Sequence, residues 1–176
     1  GLKDMSGLLK PYAAKILIEA LKDTVKIPIH LHTHDTSSLQ SVTYMMAIEA
    51  GVDVVDCAIG ALSGLTSQPN FNAMVEMMRF HKRENVYDIR SLNQFSTYWE
   101  TVRAYYYPFE SGMKGSSAEV FQHEIPGGQY SNLKSQAIAL GLGNQFEEIK
   151  DRYVEVNDLF GDIVKVTPEI TILSYS

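Results

Sequence analysis

The first 80 residues alternate between two patterns of apolar positions. Some segments repeat apolar side chains at the spacing of a helix, and others are short, mostly apolar runs typical of buried strands. The patterns predict helices over residues 13–21, 38–49 and around 74–78, and strands over residues 27–33 and 52–59. Strands and helices that alternate in this way predict a parallel sheet or a (β/α)8 barrel.

Residues 88–161 show a different pattern, which is helical and rich in aromatic side chains, with no convincing strand. A Pro-Gly-Gly break at 126–128 predicts a turn that leads into a helix. Asn144 stands where it could cap the helix that follows it. We therefore predict an α/β part over residues 1–82 and an all-helical part over residues 83–176.

Composition and charge narrow the function classes. Hydrophobic residues make up 45% of the chain and charged residues 20%, as in an ordinary globular protein. A net charge of -6 gives no reason to expect nucleic acid as a partner. Cys57 is the only cysteine, so an internal disulfide is impossible and a cytoplasmic setting is expected. No apolar run approaches the roughly 20 residues of a membrane span, and no signal peptide is evident.

The richest candidate chemistry is a histidine run at the end of the first predicted strand. His30, His32 and His34 occupy every second position, so a strand would place all three on one face. Asp35 follows directly. Imidazoles at the carboxyl end of a barrel strand favour a metal site over a purely structural role. Neighbours on one strand cannot surround a metal, so further ligands must come from other elements.

Other residues, considered one at a time, give weaker evidence for a functional role. Lys3, so near the first residue, is expected at a solvated surface. The segment Thr-Ser-Gln-Pro at 66–69 is expected to be a loop whose hydroxyls cap a helix. Thr167 precedes a proline, which favours extended backbone and says nothing about catalysis by itself.

Five sequence blocks, taken in order, match a known family. They are KDMSGLLKP at 3–11, HTHDT at 32–36, SGLTSQP at 63–69, EIPGGQYSNL at 124–133 and GDIVKVTP at 161–168. The chain resembles the biotin-dependent carboxyltransferases, and within them the carboxyltransferase domain of pyruvate carboxylase. The resemblance runs from residue 1 to about residue 168, and it implies the C-terminal portion of a TIM barrel followed by a helical subdomain.

The resemblance also implies roles for individual residues. In the family, a divalent metal, zinc or manganese, is held by an aspartate, two histidines and a carbamylated lysine. His32 and His34 match the histidines and Lys3 matches the lysine, whereas the aspartate belongs to an upstream strand that this chain lacks. His30 is not a family ligand and is expected one layer deeper in the barrel. Thr167 matches the catalytic threonine that relays a proton between biotin and the methyl group of pyruvate.

The implied reaction is carboxyl transfer from carboxybiotin to pyruvate, which gives oxaloacetate for pyruvate metabolism and gluconeogenesis. Carboxybiotin arrives on a swinging biotin carboxyl carrier domain and loses CO2. The biotin enolate then takes a proton from pyruvate through the threonine, and the pyruvate enolate attacks the CO2. Metal and positive charge near pyruvate would stabilise its enolate. The implied partners are pyruvate, the carrier domain and a biotin carboxylase domain, within a homo-oligomer.

The sequence departs from the family pattern in two places. Glu169-Ile170-Thr171 stands where Ser-Ser-Lys usually contributes to the biotin pocket, and Ser38 stands where glycine is usual. Gly1 stands where an initiator methionine would be expected, so we expect a fragment or a trimmed chain. Because a barrel needs eight βα units and the residues that grip pyruvate lie upstream, we expect the isolated chain to be inactive.

Three alternative functions stay open from the sequence. The chain could belong to an oxaloacetate decarboxylase or transcarboxylase subunit, although Gln129-Tyr130 after the Pro-Gly-Gly resembles pyruvate carboxylase. It could be a non-catalytic remnant or an interaction module. It could also belong to a metal-dependent aldolase or acyl-condensing barrel, against which the Pro-Gly-Gly-Gln-Tyr and Lys-Val-Thr-Pro blocks argue.

Overall fold

A three-stranded parallel sheet forms the first half of the computed structural model, which describes residues 1–110 and 112–161. The strands are β1 (Leu2–Asp4), β2 (His30–Thr33) and β3 (Val54–Val55), and they lie side by side in chain order. Parallel neighbours need a crossover, and here each crossover contains a helix. The parallel β/α arrangement predicted from the sequence is therefore present.

Three helices accompany these strands: α1 (Pro11–Thr24), α2 (Gln40–Glu49) and α3 (Phe71–Met77). Pro11 begins α1 because its fixed φ suits the first helical turn and its missing N–H would have no partner there. Asn70 caps α3 by accepting a hydrogen bond from the Ala73 N–H at 3.1 Å. The core between helices and sheet is apolar, with Ala14, Ile18, Leu31, Tyr44 and Ala47 fully buried.

The predicted strands proved shorter than the apolar runs that indicated them. Only His30–Thr33 of the run 27–33 and only Val54–Val55 of the run 52–59 pair as strands. β2 and β3 pair at only two positions, His30 with Val54 and Leu31 with Val55. β1 was not predicted, because three residues show no period and their strand conformation depends on pairing with β2.

Four further helices follow: α4 (Ile89–Tyr106), α5 (Val120–His123), α6 (Gly127–Ala139) and α7 (Phe146–Phe160). Short 3-10 turns lie at Gly60–Leu62, Tyr107–Phe109 and Gly143–Gln145. The helical character predicted for this half is confirmed, since none of its described residues forms a strand. The predicted Asn144 cap is wrong: Asn144 lies within a 3-10 turn, and α7 begins one residue later than expected, with no side-chain cap.

The helical half has a second apolar core and reaches back to the sheet. This core is formed by Ile125, Tyr130, Leu133, Ala137, Phe146, Ile149 and Tyr153. The Gly127 N–H donates to the Met5 carbonyl at 3.0 Å, and the Ser6 hydroxyl donates to the Glu124 carbonyl at 2.7 Å. The start of α6 is therefore fixed beside the loop that follows β1. Among the described residues, no helix has both the length and the apolar character that crossing a membrane requires.

Candidate metal centre at the carboxyl ends of the strands

The side chains of β2 divide between two faces as the sequence predicted. Leu31 and Thr33 are fully buried against the helices, and His30 and His32 point to the opposite side. His34 follows the last strand residue, and its ring meets the ring of His32 edge to face, with the centroids 5.1 Å apart. The Nε2 atoms of His32 and His34 are 3.2 Å apart. The structure thus brings two of the three predicted histidines together.

Hydrogen bonds to the other ring nitrogens fix which nitrogen carries the proton. His32 Nδ1 lies 2.8 Å from Asp56 Oδ2, and His34 Nδ1 lies 2.6 Å from the Thr66 carbonyl oxygen. Carboxylate and carbonyl oxygens only accept, so each Nδ1–H donates, and in a neutral ring this tautomer leaves a lone pair on Nε2. Burial lowers the pKa of His34 below its usual 6.5, against the raising effect of its bond to Thr66. The neutral, ligand-competent form of His34 is thereby favoured.

The donor set fits a divalent metal of the kind that imidazole binds. Two nitrogens at the usual zinc–nitrogen distance, spread at the tetrahedral angle, would be roughly 3.3 Å apart. The observed 3.2 Å between the two Nε2 atoms is close to that separation. Two lone pairs that face each other at this distance repel unless a cation or a proton lies between them.

Lys3 lies beside this pair on the neighbouring strand. In the parallel register of β1 and β2, Lys3 pairs with His32, and its side chain is exposed. Its positive charge contributes to the lowered pKa of His34. The exposed location predicted from position alone is confirmed. Carbamylation of Lys3 stays a prediction.

The ligand set within the described residues is incomplete. Across residues 1–110 and 112–161, the His, Cys, Asp and Glu side chains form no cluster of three or more that could hold a metal. Asp4, next to Lys3, is engaged elsewhere: its carboxylate accepts the N–H groups of Leu8 and Leu9 at 2.9 Å and the Thr33 hydroxyl at 2.8 Å. Within these ranges, the two imidazoles therefore have no third His, Cys, Asp or Glu side chain placed to share a metal with them.

Asp56 is the residue at this site that the sequence analysis missed. Its two carboxylate oxygens accept from two histidines, Oδ1 from His30 Nε2 at 2.7 Å and Oδ2 from His32 Nδ1 at 2.8 Å. Burial raises the pKa of Asp56, but the bonds from His32 and His30 outweigh it and leave the pKa below its usual value. The signal in the sequence was an acid inside the mostly apolar run 52–59. His30 lies outside the pair.

The Pro-Gly-Gly block helps to place His34. The predicted helix start is confirmed, because α6 begins at Gly127 with Pro126 as its N-cap. The Thr66 hydroxyl is 3.0 Å from the Ser131 hydroxyl on α6, and the Asp35 N–H donates to the Ser67 carbonyl at 2.8 Å. The loop at 63–69 therefore links the end of β2 to α6. The expectation that its hydroxyls cap a helix is wrong, since Asn70 caps α3.

The remaining candidates lie outside the described residues. Thr167, the predicted catalytic and biotin-binding threonine, belongs to the segment 162–176, as do Glu169, Ile170 and Thr171, where the sequence departs from the family pattern. Their roles stay predictions.

Parallel β/α units with polar side chains gathered at the carboxyl ends of the strands are the arrangement found in part of a β/α barrel. Comparison with known proteins identifies the family. The sequence profile named HMGL-like matches residues 1–96, and a second profile, described as a conserved carboxylase domain, matches residues 120–172. The chain belongs to the HMGL-like family.

Individual relatives narrow the resemblance further. The chain is 56% identical over 167 residues to pyruvate carboxylase of Staphylococcus aureus and 52% identical over 168 residues to that of Bacillus subtilis. These matches cover 95% and 96% of this chain but only 14% and 15% of the relatives. The chain therefore spans about a seventh of the length of the pyruvate carboxylases it matches.

Solved structures agree with the sequence matches. The carboxyl transferase domain of Rhizobium etli pyruvate carboxylase, determined with pyruvate, superimposes with a TM-score of 0.94 at 49% identity. The match covers 98% of this chain and 29% of that domain. The same domain determined with oxamate and biotin gives the same TM-score. The resemblance to the carboxyltransferase domain of pyruvate carboxylase is confirmed, and so is the fold class, part of a TIM barrel followed by helices.

Proposed function

We propose that this chain forms part of a carboxyltransferase domain that transfers a carboxyl group from carboxybiotin to pyruvate, giving oxaloacetate. The observation that carries the proposal is the pair of histidine Nε2 atoms, 3.2 Å apart, at the strand ends of a chain 49% identical to a carboxyl transferase domain determined with pyruvate. Of the alternatives, the aldolase or acyl-condensing barrel is disfavoured, because the conserved carboxylase profile matches residues 120–172.

His32, His34 and a carbamylated Lys3 would hold a divalent metal, zinc or manganese, together with a ligand from outside this chain. When bound, the metal supplies Lewis-acid stabilisation of negative charge on a substrate oxygen. The chain's own residues prepare the site: Asp56 and the Thr66 carbonyl each accept from Nδ1 of one imidazole and so direct the two Nε2 atoms toward each other. Thr167 would carry the proton between biotin and the methyl group of pyruvate.

The remaining assignments belong to the same proposal. Residues 1–82 would complete a barrel with further βα units, and residues 83–176 would form the helical subdomain. A biotin carboxyl carrier domain would deliver carboxybiotin made by a biotin carboxylase domain, and the whole protein would be a homo-oligomer in the cytoplasm. The isolated chain would be inactive, because an enzyme of this class closes its site with eight βα units.

A single substitution tests the reaction. In the complete protein that contains this chain, Thr167→Ala should lower pyruvate carboxylation by about 10²- to 10⁴-fold, the usual contribution of a positioned proton-transfer group. Bicarbonate-dependent ATP cleavage, measured without pyruvate, reports the biotin carboxylase step and should stay unchanged. Full pyruvate carboxylation by the variant would contradict the proposal.

Two further measurements separate the alternatives. Biotin-dependent oxaloacetate decarboxylation without ATP-driven carboxylation of pyruvate would indicate a decarboxylase subunit, and carboxyl exchange with a second acyl acceptor would indicate a transcarboxylase. Carboxyl transfer by the purified 176-residue chain alone would contradict its proposed inactivity. If the complete protein binds neither metal nor biotin substrate, the chain is a remnant or an interaction module.

A further inference from the structure

We propose that Asp56 is the positioning residue of this site. Its carboxylate holds the His32 ring with Nε2 directed toward His34, and a hydrogen bond from His30 fixes the carboxylate itself. The inference rests on the metal centre proposed above and adds to it a residue that is not itself a ligand. It also gives His30 a function, since His30 faces the same side of the sheet as His32 without joining the pair.

The geometry shows why the carboxylate controls the ring of His32. Oδ2 accepts from His32 Nδ1 at 2.8 Å and Oδ1 accepts from His30 Nε2 at 2.7 Å, both within the range of charge-assisted hydrogen bonds. With each oxygen engaged by a different strand residue, the carboxylate plane is fixed. Rotation of the His32 ring by half a turn would put a carbon, Cδ2, in the position of Nδ1 and break the hydrogen bond to Asp56. Asp56 therefore selects both the rotamer and the tautomer that leave Nε2 available.

The two histidines of the pair are supported in different ways. His34 Nδ1 donates to a main-chain oxygen, that of Thr66, which no side-chain substitution removes. His32 depends on a side chain, that of Asp56. A change at position 56 should therefore act on one ligand of the pair and leave the other in place.

A purely structural role for Asp56 does not account for these contacts. Main-chain bonds already join β2 to β3: the Val54 N–H donates to the Ile29 carbonyl at 3.1 Å, and the Asp56 N–H donates to the Leu31 carbonyl at 3.3 Å. The chain offers a structural acid for comparison three residues earlier. Asp53 accepts from the Ile29 N–H at 2.7 Å and from Lys22 Nζ at 2.9 Å, and it contacts neither histidine of the pair.

Zinc affinity in the complete protein tests the inference, measured by competition with a chromophoric chelator against a His32→Ala blank. Asp56→Ala should weaken zinc binding by about 10- to 100-fold, the usual cost of losing such a supporting contact. Asp56→Asn keeps one acceptor oxygen and should recover part of that loss. Asp53→Ala, the matched control, should lower the melting temperature but change zinc affinity by less than about twofold.

A metal-free readout checks the orientation directly. The ¹⁵N chemical shifts of the His32 ring should report a protonated Nδ1 in the unsubstituted protein and a mixture of tautomers in Asp56→Ala. Zinc binding by Asp56→Ala as tight as that of the unsubstituted protein would overturn the inference alone. Equal losses in Asp53→Ala and Asp56→Ala would also overturn it. If the unsubstituted protein binds no zinc above the His32→Ala blank, the metal centre itself fails and the inference fails with it.

Discussion

Gly127 lies directly against the imidazole of His34. A Cβ atom at position 127 would be 2.7 Å from His34 Nδ1 and 2.9 Å from the Thr66 carbonyl oxygen, which is the very pair of atoms that makes the hydrogen bond orienting His34. At Gly128, the next residue of α6, a Cβ atom would meet nothing within 4 Å. The first glycine of the block is therefore required by packing at the site, and the second is not.

Gly127→Ala should accordingly disturb His34 and weaken metal binding. The added methyl group must push apart the ring and the loop, and such overpacking costs about 1–3 kcal/mol in free energy of unfolding. Urea unfolding of the chain and zinc titration of the complete protein measure the two effects. Gly128→Ala is the control and should leave both unchanged or stabilise the helix slightly. Indistinguishable behaviour of the two variants would contradict the packing that the structure describes.

Removal of either imidazole of the pair should abolish stoichiometric metal binding. His32→Ala and His34→Ala each delete an Nε2 donor, so the loss should exceed the roughly 10- to 100-fold that a supporting contact contributes. Metal content of the purified complete protein, measured by elemental analysis, gives the result. His81→Ala provides the control, because His81 bonds to Glu49 away from the pair. Unchanged metal content in both pair variants would place the metal, if any, elsewhere.

Tyr44→Phe should destabilise the central strand. The Tyr44 hydroxyl, fully buried, accepts the N–H of Thr33 at 3.1 Å just beyond the point where β3 ends. Phenylalanine fills the same space but leaves this buried N–H without its acceptor, at a cost of about 1–3 kcal/mol. Urea unfolding of the chain checks the loss. Tyr12→Phe, on the exposed side of α1, should unfold as the unsubstituted chain does; equal stability of Tyr44→Phe would refute the expectation.

The contact between α5 and α7 should weaken in acid. Lys150, a buried lysine, pairs with Glu119 at 2.8 Å and with Glu147 at 2.7 Å. The bond to Lys150 holds the pKa of Glu119 below its usual 4.5. A carboxylate with a depressed pKa in the folded state contributes stability above its unfolded pKa, and that contribution is lost as the pH falls through the folded value.

Glu119→Gln should therefore lower the free energy of unfolding near pH 7, by less than about 1 kcal/mol because Glu119 is half exposed and screened. The difference from the unsubstituted chain should begin to shrink as the pH falls below about 4.5 and should vanish below the lower, folded-state pKa of Glu119, where the carboxyl group is protonated. Urea titrations at several pH values measure it, with Glu148→Gln, on α7 near Lys150, as the control. A difference independent of pH would show that charge at Glu119 is not the cause.

Much of the site followed from local sequence. The two-residue period of His30, His32 and His34 requires a shared face in any strand, and the position of the run after an apolar segment placed it at a strand end. The start of α6 also followed, since Pro-Gly-Gly favours a turn before a helix. Asp56 was missed because an acid inside a mostly apolar run has many uses, and only strand pairing places it between two imidazoles.

The sequence by itself determined the alternation of strands and helices, the change to an all-helical second half and the shared face of the three histidines, because each depends on a period that neighbouring residues carry. Only the tertiary structure decided which groups that are far apart in the sequence lie in contact. Pairing of β1 with β2 sets Lys3 beside His32, and the loop after β3 brings the Thr66 carbonyl to His34. The start of α6 packs against His34 and the Thr66 carbonyl at Gly127. These contacts join residues up to about a hundred positions apart, and no local pattern in the chain encodes them.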